Sequence, residues 1–284
     1  MLNRHRLLLS CAISVCAVLA AGTALAANGK GKGNAPGPAP GTATTCQDLP
    51  SWGQLRDALR TAVQEETSGL NNHMWGTIVD TSGKVCAVAF SGDDFTDQWL
   101  GSRVISAQKA NTGNAFSLSP SSASDGSGQP AGLALSSANL YTPVQPGSSL
   151  FGLQESNPVD PAVAYAGDES QFGQQTDPMV GKRIGGINVF GGGLALYRGH
   201  QRVGGVGVSG DTSCADHDIA WRLRFHLNLD QMAGIAGVSG DAERPDNIIY
   251  DITPDANGHP VSPSGFGHPE CINTADPKTL PAVR

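Results

Sequence analysis

The sequence predicts one α+β domain in which helices pack on an antiparallel sheet. Apolar residues recur at helical spacing over residues 51–63, and β-rich segments flank tight turns within 75–90 and 194–208. Another helical pattern covers residues 214–229. The order of helix, two strands, helix, three strands and helix is typical of a mixed fold rather than of alternating β-α-β units.

The first half of the domain is predicted to be a helix, a hairpin and a second helix. Ser51 and Gln54 have the spacing of a capping box, in which each side chain satisfies a free backbone N–H at the start of a helix. The segments 75–79 and 85–90 flank a turn of Asp, Thr, Ser and Gly, which predicts an antiparallel hairpin. Residues 99–116 predict the second helix.

The second half is predicted to supply three further strands and a third helix. The strands are expected over residues 184–190, 194–197 and 203–208, which makes a five-stranded sheet. An Asp, a Thr and a Ser, all good N-caps, precede the helix over 214–229. Residues 247–252 predict one more short strand.

The N-terminus has the three parts of an export signal, over residues 1–26. Arg4 and Arg6 form a positively charged region, residues 7–21 form an apolar core, and Ala-Leu-Ala at 24–26 is a cleavage site of the small-x-small type. The apolar core is shorter than the ~20 residues of a membrane-spanning helix, and no later segment replaces it. We therefore expect no membrane span and a protein that is periplasmic or secreted.

The rest of the chain divides by composition. Residues 27–45 are rich in Gly and Pro without apolar periodicity, which predicts a flexible linker. Residues 46–284 are expected to form a single domain with a Ser/Gly/Pro-rich insertion over 117–183 and a C-terminal extension over 230–284. We expect the insertion to contain a short helix near 133–140, with extended pieces packed on the sheet or on a neighbouring subunit.

Four cysteines follow the export signal: Cys46, Cys86, Cys214 and Cys271. An even number in an oxidising compartment predicts two disulfides, and three pairings remain open. The cysteines are tens of residues apart, whereas a structural metal site usually needs close pairs such as C-x-x-C.

The charge balance argues against a nucleic-acid partner. The chain has 18 Lys and Arg against 25 Asp and Glu, a formal net charge of −7. Duplex binding needs clustered basic side chains to neutralise phosphates, and the sequence has no basic run.

Two short motifs match known functional patterns, but the surrounding sequence does not support either function. Residues 205–210 read G-x-G-x-x-G, but they follow a strand of a predicted antiparallel hairpin. In addition, no second predicted strand ends in an acidic residue about 20 residues later, as a dinucleotide site requires. Ser209 does not match a nucleophile elbow, because Asp211 stands where the final glycine belongs. We interpret these glycines as allowing close packing of a strand on a helix.

A longer pattern resembles the GlcG/HbpS-like heme-binding (haem-degrading) family. It consists of the runs IVDTSGKVCAVAF, SAQKANTGNAF and GGGLALYRGHQRVGGVGVSGDTSCADHDIAWRLR. Together the matching stretches cover about residues 51–116 and 184–228. The resemblance implies a profilin-like α-β-α sandwich with a five-stranded antiparallel sheet, assembly into homo-oligomers and binding of heme. The insertion and the extension exceed the compact core of that family.

The resemblance also implies candidate heme-binding residues. His217, at the start of the third predicted helix, and His73, in an apolar neighbourhood before the first strand, are the candidate iron ligands. Lys109 matches the family's "KA" position and, with Arg103, is a candidate partner for a heme propionate. Asp216 either lines the same pocket or caps its helix. A hydrogen-bonded structural histidine is the alternative for His217, and a surface lysine for Lys109.

These observations predict an exported heme-binding protein that captures or stores heme and slowly oxidises it through the iron. The sequence has no catalytic constellation of its own, so we do not expect a dedicated enzyme. One alternative is an enzyme on the same scaffold that uses Asp216 and His217 as an acid–base pair on a small carboxylate or aldehyde. Another is a non-catalytic oligomeric scaffold whose insertion serves subunit contacts.

Overall fold

The structure, a computed structural model, describes residues 44–120 and 131–284. The predicted signal peptide, residues 27–43 of the predicted linker and residues 121–130 of the predicted insertion lie outside the described residues. None of the helices in the described parts of the chain has the length and apolar character that a membrane crossing requires.

The described residues form a mixed α/β fold in which the three long helices and the strands of both hairpins follow the predicted order. The helices are α1 (Trp52–Glu65), α2 (Ser102–Ala115), α3 (Leu153–Ser156), α4 (Pro161–Ala164) and α5 (Ser213–His226). The strands are β1 (Trp75–Asp80), β2 (Val85–Phe90), β3 (Gly193–Arg198), β4 (Gln201–Ser209), β5 (Thr253–Pro254) and β6 (Pro260–Val261). The predicted capping box at the start of α1 is present, with both reciprocal hydrogen bonds between Ser51 and Gln54.

The main sheet of the described residues has the strand order β2-β1-β4-β3, and each neighbouring pair is antiparallel. The five-stranded expectation differs from this structure, because residues 184–190 form no strand. Gly185 and Gly186 have φ values of 66° and 79°, left-handed conformations that interrupt an extended segment. The backbone of this segment instead bonds side chains of α2: Asn111 Nδ2 donates to the Gly186 carbonyl at 2.8 Å.

Two other predicted elements also differ. Residues 247–252 form no strand, and the nearby pair β5–β6 is a separate two-stranded sheet. In the region where a helix was expected at 133–140, the structure has one 3₁₀ turn, Ala138–Leu140.

Helices cover both faces of the sheet. Trp75 and Val79 of β1 pack with Val104 of α2 on one face. Ile78, which points to the opposite side of the strand, packs among residues of α1 and α5 such as Leu59. The two largest apolar clusters of the described residues therefore lie on opposite sides of the sheet.

The glycines of β4 allow α2 to lie directly on the sheet. A Cβ atom at Gly207 would overlap the Ser106 carbonyl oxygen and the Ala110 nitrogen of α2. Any side chain there would push the helix away, so the G-x-G pattern serves packing, as expected.

The prediction of two disulfides is confirmed, and the structure selects one of the three pairings. Cys46–Cys86 attaches the segment before α1 to β2, and Cys214–Cys271 attaches the C-terminal extension to the first turn of α5.

Candidate functional site

A recess of about 330 Å³ lies beside the end of β2. Its walls come from α1, from the segment after β2 and from the insertion. The lining residues are Arg56, Phe90, Gly92, Asp93, Asp94, Phe95, Glu169, Ser170, Phe172, Gly173 and Gln174.

Four aromatic rings form a connected wall behind and around this recess: Trp75, Phe90, Phe95 and Phe172, here called the aromatic wall. Trp75 and Phe90 are partners in the β1–β2 register, and their ring centroids are 4.9 Å apart. Phe95 lies 6.4 Å from Trp75 and 6.1 Å from Phe172. These separations fall in the range of favourable aromatic pairs. Trp75 and Phe90 are buried, so the partly exposed rings of Phe95 and Phe172 provide the apolar surface that faces the recess.

The insertion supplies Phe172 through a set of fixed contacts. Trp52 Nε1 donates to the Gly173 carbonyl at 2.9 Å, and the Gly173 N–H donates to Asp177 Oδ2 at 2.8 Å. Arg103 makes a bidentate ion pair with Asp177 and places its guanidinium 3.8 Å from the Phe172 ring centroid. Arg103 and Asp177 are both buried. The predicted propionate partner Arg103 thus holds the aromatic wall in place from behind.

His73 does not line the recess but lies next to two of its lining residues, Phe90 and Gly92, and is exposed to solvent. Its ring is edge-on to Phe90 at 5.8 Å, and a Cβ atom on Gly92 would come within 2.8 Å of it. Nδ1 is 3.3 Å from Ser91 Oγ, whereas Nε2 makes no hydrogen bond with any residue that the structure describes. When Nδ1–H donates to Ser91, Nε2 presents its lone pair to solvent, which is the form that binds a metal.

Two arginines of α1 approach the same rim. Arg60 Nε donates to the Ser91 carbonyl at 3.0 Å, and both Arg56 and Arg60 lie within 3.8 Å of Asp93 Oδ1. The Asp93 side chain is 94% exposed, so these ion pairs are weak and leave the guanidinium groups available to an anion. Other carboxylates, such as Glu169, also line the recess, so its charge is mixed rather than purely basic.

A second polar cluster lies inside the domain, between α2, β4 and α5. Lys109 Nζ is 2.6 Å from Asp216 Oδ2 and donates to the Val208 carbonyl at 3.1 Å. The other Asp216 oxygen accepts the Asp211 N–H at 2.9 Å. Burial lowers the pKa of Lys109 and raises the pKa of Asp216 to about 6, because both ionised forms are removed from water. The two predicted heme contacts, Lys109 and Asp216, therefore bind each other.

His217 follows Asp216 but points elsewhere and is fully buried. Its Nε2 lies 3.2 Å from both the Ile248 nitrogen and Asn247 Oδ1, so it accepts from the first when unprotonated and donates to the second when protonated. Burial lowers the pKa of His217 to about 3, so the ring is neutral at physiological pH. The geometry separates His217 from His73: one lies beneath the C-terminal extension, the other at the open recess.

Sequence reasoning identified His73 but not Arg56, Phe95 and Phe172. Phe95 begins a single 3₁₀ turn, Phe95–Asp97, and Phe172 follows another, so neither belongs to a long helix or to the main sheet. The two residues are 77 positions apart in sequence, so no periodicity relates them. The available signal was the grouping of aromatic residues around the first hairpin, of which Trp75 and Phe90 are part.

Comparison with known proteins identifies a family, and the similar solved structures include two that are described below. The family described as "Haem degrading protein HbpS-like" matches residues 53–223, which is more than half of the chain. The Klebsiella pneumoniae protein ORFY, known from a crystal structure, shares 21% sequence identity with this chain. The two structures have a TM-score of 0.38, and the match covers 62% of this chain and 86% of that one. The PduOC:heme complex is 23% identical, with a TM-score of 0.40, and the match covers 62% of this chain and 91% of that one. No curated protein matches this chain.

Proposed function

Because this chain belongs to the HbpS-like haem-degrading family, we propose that it binds heme at the recess beside His73. The observation that carries the proposal is the exposed imidazole whose Nε2 is open beside the aromatic wall. His217 is buried beneath the extension, which leaves His73 as the candidate iron ligand that solvent reaches directly.

The residues at the recess fit the chemistry of heme. A neutral imidazole binds iron, and aromatic faces pack against a flat macrocycle. The guanidinium groups of Arg56 and Arg60 provide cationic partners for the propionates. Asp93, Asp94 and Glu169 oppose these cations, so we expect moderate rather than extreme affinity.

In the proposed mechanism the protein binds and orients the heme. Bound heme supplies the iron-centred redox chemistry. Ser91 fixes the orientation of the His73 ring through Nδ1, and the Met74 N–H in turn donates to Ser91 Oγ at 2.8 Å. The aromatic wall excludes water from one side of the recess, and Arg103 keeps Phe172 in position.

We also propose that the protein is exported, captures or stores heme with slow oxidation, and forms a homo-oligomer with a profilin-like sandwich fold. The two disulfides support an oxidising compartment, periplasmic or extracellular. Helices on both faces of the sheet support the sandwich.

The enzyme alternative receives less support. Asp216 pairs with Lys109, and His217 contacts Asn247, so the two side chains of the suggested acid–base pair have different partners and are both buried. The scaffold alternative leaves the open Nε2 of His73 unexplained.

Hemin titration tests the proposal. The wild-type protein is expected to shift the Soret band at micromolar concentration, and His73→Ala is expected to weaken binding at least tenfold because the iron loses its ligand. His259→Ala, which removes an exposed histidine outside the recess, is the matched control and is expected to bind as the wild type does. Absence of a Soret shift in the wild type, or equal affinity in His73→Ala, contradicts the proposed site.

A further inference from the structure

A second and larger cavity, of about 1020 Å³, lies between the insertion and the C-terminal extension. One wall consists of residues 135–150, and the other consists of residues 252–269. The family match ends at residue 223, so the second wall lies beyond it. The cavity shares no lining residue with the recess beside His73.

The two walls are held together by specific contacts. Thr142 Oγ1 donates to the Gly267 carbonyl at 2.6 Å, and the Tyr141 ring lies 5.2 Å from the ring of His268. Asp251 accepts hydrogen bonds from the Ser262 hydroxyl and the Ser264 N–H at 2.7 and 2.8 Å, which orders the outer loop. The Cys214–Cys271 disulfide anchors the same wall to α5. The cavity is therefore preformed, which lowers the cost of binding.

Among the residues that the structure describes, those lining the cavity carry no charged side chain. Its apolar surface comes from residues such as Leu140, Ile252 and Phe266, and its polar groups are the neutral side chains of Tyr141 and Gln145, with a few serine and threonine hydroxyls. The Tyr141 backbone carbonyl accepts a hydrogen bond from Gln145 Nε2 at 3.0 Å, whereas the Tyr141 hydroxyl makes none with a described residue. A large apolar cavity with few neutral polar groups is typical of a small-molecule site.

From this geometry we infer that the cavity binds an uncharged, apolar small molecule whose hydroxyl or carbonyl group bonds to Tyr141. The described lining offers no cation to pair with a carboxylate, which favours neutral ligands over carboxylates. Heme, with two propionates, and free fatty acids are disfavoured for that reason. This site is independent of the heme site proposed above.

Fluorescence of N-phenyl-1-naphthylamine, a neutral apolar probe, tests the inference. The wild-type protein is expected to bind it at micromolar concentration with enhanced, blue-shifted emission. Val261→Lys and Leu150→Lys each place a charge at the mouth of the cavity, where the native side chains are 45% and 36% exposed. Each variant is expected to weaken probe binding at least tenfold. Ile272→Lys introduces the same charge at an apolar residue that is 73% exposed and does not line the cavity, and is expected to bind the probe normally.

The outcomes separate this inference from the heme proposal. Loss of probe binding in the two cavity variants, with unchanged hemin titration and a wild-type far-UV spectrum, supports the inference. Failure of the wild type to bind the probe, or equal binding in all variants, overturns it. Displacement of the probe by hemin, together with weaker hemin binding in Val261→Lys, also overturns it and assigns the cavity to heme.

Discussion

The buried imidazole of His217 is expected to make the protein sensitive to acid. Unfolding exposes this group, whose ordinary pKa is 6.5, whereas burial lowers the pKa in the folded state to about 3. Between these values the unfolded state binds a proton that the folded state does not. Stability from His217 is therefore fully present above pH 6.5 and falls as the pH falls toward 3.

The size of the effect follows from the two pKa values. A single group with this difference lowers the free energy of unfolding by about 2 kcal/mol between pH 7 and pH 5, and by about 5 kcal/mol in full. Asp216 and Asp218 act in the opposite direction, because burial raises their pKa values to about 6 and about 8. Comparing the wild type with a His217 variant at each pH cancels the contributions of Asp216 and Asp218, because both proteins contain them.

Urea unfolding at pH 7 and pH 5 measures the effect, with the disulfides intact. His217→Gln retains a neutral group that accepts the Ile248 N–H, and we expect it to lose about 2 kcal/mol less than the wild type over this interval. His259→Gln, at a histidine whose side chain is 75% exposed, is expected to follow the wild type. Equal losses in the wild type and His217→Gln would refute the argument that His217 is neutral and buried.

Three further predictions concern the core. Lys109→Met leaves the Asp216 carboxylate buried without its cation and is expected to lower the free energy of unfolding, measured in urea, by about 3–5 kcal/mol. The double variant Lys109→Met/Asp216→Leu removes the unpaired charge and is expected to recover most of that loss. A double variant no more stable than Lys109→Met argues against this account. Replacing both Cys214 and Cys271 by Ser removes the disulfide that joins residues 57 positions apart and is expected to lower the free energy of unfolding by about 4 kcal/mol. Proteolysis within residues 252–269 is expected to become faster, and unchanged proteolysis contradicts the anchoring role. Gly207→Ala places a methyl group against α2 and is expected to lower stability by about 1–3 kcal/mol, whereas a neutral effect means that α2 does not pack on β4 as described.

Local patterns predicted most of the secondary structure. The Ser51–Gln54 capping box and the hairpin around residues 80–84 depend on neighbours in sequence, and both are present. The strand predicted over 184–190 is not, since its apolar pattern is also satisfied by packing beside α2 once Gly185 and Gly186 turn the chain. Periodicity alone does not distinguish these two environments.

The candidate site was predictable only in part. His73 was identifiable because it precedes an apolar strand in a chain with few aromatic residues. Phe172 was not, since its place in the recess depends on Trp52 and Arg103, which are distant in sequence. Sequence also did not reveal the cavity between residues 135–150 and 252–269, because neither segment has a regular pattern.

The sequence by itself determined the family, the order of the principal helices and strands, and the presence of four cysteines for two disulfides. Only the tertiary structure decided which charged groups are available to a ligand. Lys109 and Asp216 are 107 residues apart, yet their ion pair across β4 removes both from solvent, whereas His73 remains open. Whether a side chain is free or paired depends on packing between distant segments, and sequence spacing carries little information about such long-range contacts.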